Sequence, residues 1–344
     1  MPPDLSVIIV AWRCREWLAR CLESIERATE DADRGSQASR GADPREKRER
    51  RLAVETIVVD NASGDGTAEV VRERFARVRL ISNAENRGFA VANNQALAAA
   101  SGRHILFLNP DTEVHAGALA AIVRALDGDP TIGACGPLLV NPDGSVQPSV
   151  RGEPTLAALF HQYTPMRLLP VLGGAYRRYK MDGFDYGRAA DVDSMMGAAM
   201  AVPRRVIDQV GPMDERFFVY LEEVDLARRI RAAGYRVRFD PSGRITHAGG
   251  VSAAGATSSL LFCRSLFKYI CKWHGPAAGL AWVSVLRLMM WIREFGMMVS
   301  SAIAAAGLAM IGRRAPAERR RDRAAAAARF VFRDSWRSIF LGRR

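Results

Sequence analysis

TIVVDNASGDGT, Thr56–Thr67, is the stretch on which the fold turns. A β-branched apolar run ends in Asp60, and a turn rich in Gly and Asp leads directly into a helical pattern. A carboxylate at the end of a strand, beside such a turn, is placed to accept hydrogen bonds from a nucleobase or ribose. Working outward, strands are expected over Leu5–Trp12, Thr56–Asp60, Val78–Ser82 and His104–Leu108. Helices are expected between them over Arg15–Thr29, Thr67–Phe75 and Gly88–Ala100. That alternation is the pattern of an α/β protein with a parallel sheet. The runs VIIV, IVVD and ILFL are almost continuously apolar, as in strands covered by helices on both faces, and ligands of such sheets bind beyond the strands' carboxyl ends.

The chain of 344 residues is long enough for a large buried core, and 49% hydrophobic with 25% charged residues excludes a disordered or collagen-like protein. The net charge of +12 is unevenly spread: residues 313–344 hold eleven arginines against Glu318, Asp322 and Asp334, a net +8. A basic tail fits either nucleic acid or an anionic membrane surface. The apolar, Trp-bearing segments that precede it favour the membrane, and with no recognisable nucleic-acid module no nucleic-acid partner is expected. Five cysteines without a CxxC pair indicate neither a zinc knuckle nor a disulfide framework. MPPDLSVIIVAW lacks a basic leader and reads as a first strand, so no signal peptide is expected and the body is expected in the cytoplasm.

Two regions follow: 1–257, with a charged insertion at about 30–51 expected as a flexible surface loop, and 258–344. In the first, a small-residue run over Val192–Val202 precedes helices near Arg204–Val210 and Glu222–Ala233, then a strand RVRFD. In the second, long apolar helices are broken at Pro276 and carry Trp273, Trp282 and Trp291. The charge-free run Phe295–Gly312, 18 residues, stands at the lower bound for a membrane span, so a monotopic helix or re-entrant hairpin with a basic tail is expected instead.

Two further segments carry chemistry. Asn86-Arg87-Gly88-Phe89 opens a helix, where a guanidinium and unpaired N–H groups both favour anions. Leu108-Asn109-Pro110-Asp111-Thr112-Glu113 sets Asp111 on the same sheet edge as Asp60, where one carboxylate can hold Mg²⁺ or Mn²⁺ with diphosphate oxygens and water completing the shell. Neither GxGxxG nor GxxxxGK is present.

Taken together, these segments resemble glycosyltransferase family 2, with its GT-A fold, in a rhamnosyltransferase-like branch. GAAMAVPR, GPMDERFFVYLEEVDLARRIRAAGYRVRF and ITHAGGVS extend the resemblance over Leu5 to Ser252, the insertion excepted. It implies a mixed, mainly parallel sheet flanked by helices. It also implies a nucleotide-diphospho-sugar site at Val10, Trp12, Asp60, Asn61, Ser63, Asn86, Arg87, Gly88, Asn109 and Asp111. The turn keeps only the last acid of the family's DxD, and His247 matches a position able to join Asp111 on the metal. Among Glu222, Glu223 and Asp225, matching favours Glu223 as general base, the other two orienting it or touching the acceptor. Gln147, Arg151, Gly197 and Ala198 are expected near the sugar or acceptor.

The implied activity is inverting transfer of a sugar, rhamnose from dTDP-rhamnose foremost, to a polyprenyl-diphosphate-linked or polysaccharide acceptor in bacterial cell-envelope synthesis. The expected place is the cytoplasmic face of the inner membrane. The alternatives are a catalytically silent scaffold of the same fold and a basic nucleic-acid-binding protein. A nucleotidyltransferase would need a Gly-rich loop after the first strand, where Ala11-Trp12-Arg13-Cys14-Arg15-Glu16 stands instead.

Overall fold

A computed structural model describes residues 2–37, 52–163, 172–249 and 256–310. It divides into two compact units, one of residues 1–159 and 171–265, the other of residues 160–170 and 266–344.

The first unit begins with β1 (Leu5–Ala11), α1 (Arg15–Gln37), β2 (Val54–Asp60), α2 (Thr67–Arg74), β3 (Arg79–Ser82), α3 (Phe89–Ala99) and β4 (His104–Leu108). β5 (Thr112–Val114), α4 (Ala118–Gly128), β6 (Ile132–Val140), β7 (Val150–Arg151), α5 (Leu156–Tyr163) and α6 (Gly173–Lys180) follow, α5 running on into the second unit. β8 (Ala190–Asp191), β9 (Ser194–Met195), β10 (Ala199–Pro203), α7 (Arg204–Val210), α8 (Glu222–Ala232) and β11 (Arg236–His247) complete it.

One sheet runs in the order β3-β2-β1-β4-β10-β6-β11-β5, with β8 on β11, and β7 and β9 form a separate ribbon. β1, β2, β3 and β4 are parallel, β11 is parallel to β6, and β10 runs antiparallel between β4 and β6. The alternation of strand side chains separates two cores. Leu5, Val7 and Ile9 of β1 pack with Leu18, Leu22 and Ile25 of α1, Val70 of α2 and Ile122 of α4. Ile8 and Val10 pack on the other face with Ala92 and Ala96 of α3, Val206 of α7 and Ile230 of α8. The result is a helix–sheet–helix sandwich whose central strands β1, β4 and β10 are buried on both faces.

Two expectations are corrected. α1 does not end at Thr29 but continues to Gln37. A helix already nucleated on Leu18, Cys21 and Leu22 gains one hydrogen bond per added residue, so it extends into the charged segment; the rest of the expected loop lies outside the described residues. RVRFD is only the first part of β11, which runs twelve residues to His247. Its register against β6 shifts between Asp240 and Arg244, which absorbs Pro241 and lets Gly243 pass Ala118 O, 3.1 Å from where a Cβ would stand.

In the second unit α9 (Ala256–His274), which begins in the first, and α10 (Pro276–Met310) meet at Gly275, whose φ of 87° supplies the left-handed turn before Pro276. α10 is one continuous helix of 35 residues, and no re-entrant break falls within its apolar run. Among the described residues no helix is long and apolar enough to cross a membrane. The arginine tail and the last two residues of that run, 311 and 312, lie outside the described residues.

Candidate active site

The carboxyl ends of β1, β2 and β4 converge on one edge. Ala11 pairs with Asp60 across the first two strands, and Asn61 N–H donates to Ala11 O at 2.8 Å. Asp60 Oδ1 accepts from Ser63 N–H at 3.2 Å, and Ser63 Oγ accepts from Arg13 N–H at 3.0 Å, so the two turns brace each other. No donor among the described residues reaches Asp60 Oδ2, the oxygen left for a ligand. Arg13 and Ala62 hold φ values of 51° and 60°, conformations that cost non-glycine residues about 1 kcal/mol or more.

Asn61 takes a different place from the one its motif implied. Its carbonyl accepts from Asn83 Nδ2 and Arg87 N, both at 3.0 Å, while its Nδ2 donates to Asn86 Oδ1 at 2.9 Å and Gly88 O at 3.2 Å. All four hydrogen-bonding positions of the amide are spent, so Asn61 positions the 83–88 loop and has none left for a nucleotide. Asn86 Oδ1 also accepts from Gly88 N–H at 2.9 Å. Gly88, at φ 86°, passes within 2.7 Å, measured from an added Cβ, of Phe218 O, and no other residue fits there. Arg87 is exposed, and among the described residues it is held through its backbone alone. Val10 is corrected too: its side chain packs in the core, which leaves only its main chain for a ligand. Trp12 is half-buried, with the Arg13 guanidinium 5.2 Å above its ring.

Asp111 and His247 lie far apart in sequence and meet where β11 pairs with β5. His247 pairs with Thr112 through β11 and β5, and Ala248 N–H donates to Asp111 O at 2.9 Å. Both side chains are nearly buried, at 6% exposure, with Asp111 Oδ1 3.4 Å from His247 Nε2. Gln147 settles the imidazole. Its Nε2 donates to Asn141 Oδ1 at 2.9 Å and His247 O at 3.3 Å, so its Oε1 accepts from His247 Nδ1 at 2.8 Å. Nδ1 then carries a proton, and in the neutral imidazole Nε2 is the nitrogen whose lone pair is directed towards the Asp111 carboxylate. In that form the two side chains offer a nitrogen and an oxygen that could hold a divalent cation. A nitrogen ligand suits Mn²⁺ better than Mg²⁺. Among the described residues no third His, Cys, Asp or Glu joins them, so these two side chains are the ones that could hold a cation here. Asn109 borders the pair, its Nδ2 3.5 Å from His247 Nε2.

β10 brings the third component. Because Ala199 lies opposite Leu108, Asn109 N–H donates to Ala198 O at 2.9 Å, and Gly197 lies beside them with its added Cβ 3.4 Å from the Glu223 side chain. Glu222 and Glu223 open α8 immediately after Tyr220 and Leu221, whose φ values are 71° and 70°. Two consecutive left-handed residues without glycine are strain held at a site. Burial raises the pKa of both carboxyls, and Glu223 raises Glu222 further. The surroundings differ: backbone N–H groups of Glu223, Val224, Leu221 and Gly197 act on Glu223 and partly offset its burial, whereas Glu222 has only its own. Of the two, Glu222 is the carboxyl raised further, by burial and then by Glu223.

Asp225 is corrected. It has no exposed surface, and its carboxylate takes Arg229 Nε at 2.9 Å. Arg229 in turn binds Val210 O, Gly211 O and Pro212 O, so this pair clamps the loop before α8 and cannot touch an acceptor. Cys14 and Cys21 lie beneath the site with thiol pKa values pushed by burial to about 12, which excludes them as nucleophiles at neutral pH.

A mixed sheet with helices on both faces, and acids gathered at the carboxyl ends of its strands, defines a GT-A transferase fold. The mannosyltransferase PcManGT from Pyrobaculum calidifontis, solved with GDP-Man and Mn²⁺, shares this fold at a TM-score of 0.51 and 20% identity, over 97% of this chain and 88% of that one. Residues 6–185 match Glycosyl transferase family 2, and the chain belongs to that family. The N-acetylglucosaminyl-diphospho-decaprenol L-rhamnosyltransferase of Mycobacterium tuberculosis is 30% identical over 233 residues, 63% of this chain and 74% of that protein. The low-salt glycan biosynthesis hexosyltransferase Agl10 of Haloferax volcanii is 26% identical over 182 residues, 52% of this chain and 53% of that protein.

Proposed function

We propose that this glycosyltransferase moves a sugar, rhamnose from dTDP-rhamnose foremost, onto a diphospho-lipid-linked glycan in bacterial envelope synthesis, with inversion at the anomeric carbon. The observation that carries the chemistry is the placement of Glu223 in the first turn of α8, just after the strained Tyr220–Leu221 turn and against Gly197 beside the strand ends. The rhamnosyl donor and lipid acceptor rest on the mycobacterial relative's name.

Asp60 Oδ2 binds the base or ribose, and Arg87 supports the diphosphate. Asp111 and the Nε2 of His247 hold Mn²⁺ or Mg²⁺, which when bound offsets charge on the departing diphosphate. Glu223 takes the proton of the acceptor hydroxyl as its oxygen bonds to the anomeric carbon and the carbon–diphosphate bond breaks. Inversion follows because the attacking oxygen enters opposite the leaving group and no covalent enzyme intermediate forms.

The membrane surface belongs to the same proposal. Leu288, Ile292, Phe295, Val299 and Ile303 are exposed apolar side chains of α10, recurring every three or four residues on one side of the helix. The arginine-rich sequence follows, as in segments that lie in an anionic headgroup plane. This reading sets the protein on the cytoplasmic face of the inner membrane.

Thermal-shift binding of dTDP-rhamnose and a UDP-sugar panel, with and without Mn²⁺, tests it. A ligand at about 100 times its Kd stabilises by about 2.7 kcal/mol. One sugar nucleotide that shifts the protein only with metal, and not in Asp111→Asn, supports the assignment. No shift with any nucleotide favours the scaffold reading.

A further inference from the structure

A second set of charged side chains, unused by the donor side, is linked to Glu223 through Tyr179, which lies in the field of both Arg151 and Glu223. In the β7–β9 ribbon Arg151 stands opposite Ser194, and Met196 N–H donates to Ser149 O at 2.7 Å. The next residue, Gly197, packs on Glu223, so the ribbon that holds Arg151 opposite Ser194 runs on directly into the contact with the proposed base. The end of α6 is locked to the same strand: Gly152 N–H donates to Tyr179 O at 2.9 Å, and an added Cβ on Gly152 would stand 2.5 Å from Arg178 O. That close approach brings Tyr179 and Lys180 beside Arg151. Lys180 Nζ stands 5.8 Å from the ring centre of Tyr176 and 6.0 Å from that of Tyr179, which orients the ammonium.

The charges here are not balanced. Arg151 spends one nitrogen on Pro148 O at 2.9 Å and Val150 O at 2.6 Å. Neither Arg151 nor Lys180 forms an ion pair with a carboxylate among the described residues. Burial lowers the pKa of Lys180, Arg151 lowers it further, and only Asp182 opposes them. Burial raises the Tyr179 phenol, Arg151 draws it down and Glu223 pushes it up, so one hydroxyl lies in the fields of both the basic pair and the base. Two half-buried cations held together without a counter-ion attract an anion of matching charge.

We infer that Arg151 and Lys180, with the Tyr179 hydroxyl, bind the diphosphate of a lipid-linked sugar acceptor while its hydroxyl reaches Glu223. The inference rests on the transferase reading above. A guanidinium fork and an ammonium side by side suit two linked phosphates better than one. The acceptor is favoured over the donor because the pair reaches Glu223 through the β7–β9 ribbon, whereas the donor diphosphate is assigned to the strand ends at Asp111 and Arg87.

Isothermal titration of the full chain with dodecyl diphosphate tests it, with dTDP and Mn²⁺ saturating the donor side and dodecyl phosphate and dodecyl maltoside as comparisons. Dodecyl diphosphate is expected to bind more tightly than either comparison. Arg151→Gln and Lys180→Gln are each expected to weaken it at least about tenfold, and Lys180→Arg to retain most of the affinity. An unchanged dTDP–Mn²⁺ thermal shift in each variant shows that it is folded and its donor side intact. Equal affinity of wild type and both glutamine variants overturns the inference. So does displacement by dTDP, which moves the anion to the donor side, and so does equal binding of dodecyl maltoside, which leaves only the alkyl chain. Absence of a dTDP shift in the wild type overturns the donor reading alone.

Discussion

Glu222 and Glu223 are neighbours in sequence with unlike surroundings, and the difference is measurable. Removing the base but keeping its shape, Glu223→Gln is expected to cut turnover by about 10²–10⁴-fold with the donor thermal shift unchanged. Near-wild-type turnover moves the base elsewhere. Glu222 bears on stability. Its pKa is raised in the folded protein, chiefly by burial and then by Glu223, so the native state holds a proton the unfolded chain has released. Stability from this group is fully present below the unfolded glutamate value and is lost as pH rises through the folded one. Glu222→Gln is therefore expected to stabilise the protein by about 1–2 kcal/mol at neutral pH, and to flatten the decline in urea midpoint between acid and neutral pH. An unchanged slope rules Glu222 out as its source. Gln147→Leu removes the acceptor that fixes the His247 tautomer and is expected to weaken Mn²⁺ binding about 10–100-fold in an electron-paramagnetic-resonance titration with dTDP, while Gln147→Glu retains it. Equal affinity of all three proteins leaves Gln147 a purely structural residue. Asp60 and Asp111 stood out as residues because acids beside strand ends and turns are visible in one dimension, whereas Glu222 and Glu223 were singled out only by the resemblance to the family. The spent amide of Asn61 and the buried clamp of Asp225 were not legible, since the Asn61 amide is used up by partners up to 27 residues away and the Asp225 carboxylate is held by Arg229, which itself donates to main-chain carbonyls of the preceding loop.

Short elements decide how those residues are aimed. Gly88 carries both a left-handed φ of 86° and the close approach to Phe218, so Gly88→Ala is expected to cost about 2–4 kcal/mol and to lower the urea midpoint. A midpoint equal to the wild type's removes Gly88 as the hinge between the 83–88 loop and the segment before α8. The same segment ends in the strained Tyr220–Leu221 turn, from which α8 projects its first two side chains. Strands read as apolar runs were found within a residue or two, because burial on both faces leaves so strong a signature. β11 was half hidden: Pro241 and Gly243 look like a stop in sequence, yet a register shift carries the strand through them to His247. A local breaker reports what the backbone disfavours, and pairing with β6 overrides it.

At the scale of the molecule, charge and apolar surface are separated along the chain. The first 312 residues have a net charge of only +4, and the excess follows α10, whose exposed face includes Leu288 at 58% and Ile303 at 68%. The full chain is expected to co-sediment with vesicles containing phosphatidylglycerol and much less with neutral ones, the binding weakening with salt. The triple substitution of Leu288, Ile292 and Ile303 to Ser is expected to weaken it by removing buried apolar area. Sedimentation of that variant equal to wild type would falsify the in-plane reading of α10.

What the sequence alone determined is the alternation of strands and helices, the acids at the strand ends and the basic end of the chain. These depend on periodicity and composition, which are local properties. Which groups share a space was decided only by the tertiary structure: the Asp111–His247 pair, the N–H groups gathered on Glu223, and the uncompensated Arg151 and Lys180. Each joins segments far apart in the chain or sets the field that burial makes strong, and both follow from strand pairing and from the removal of water rather than from any residue's neighbours in sequence.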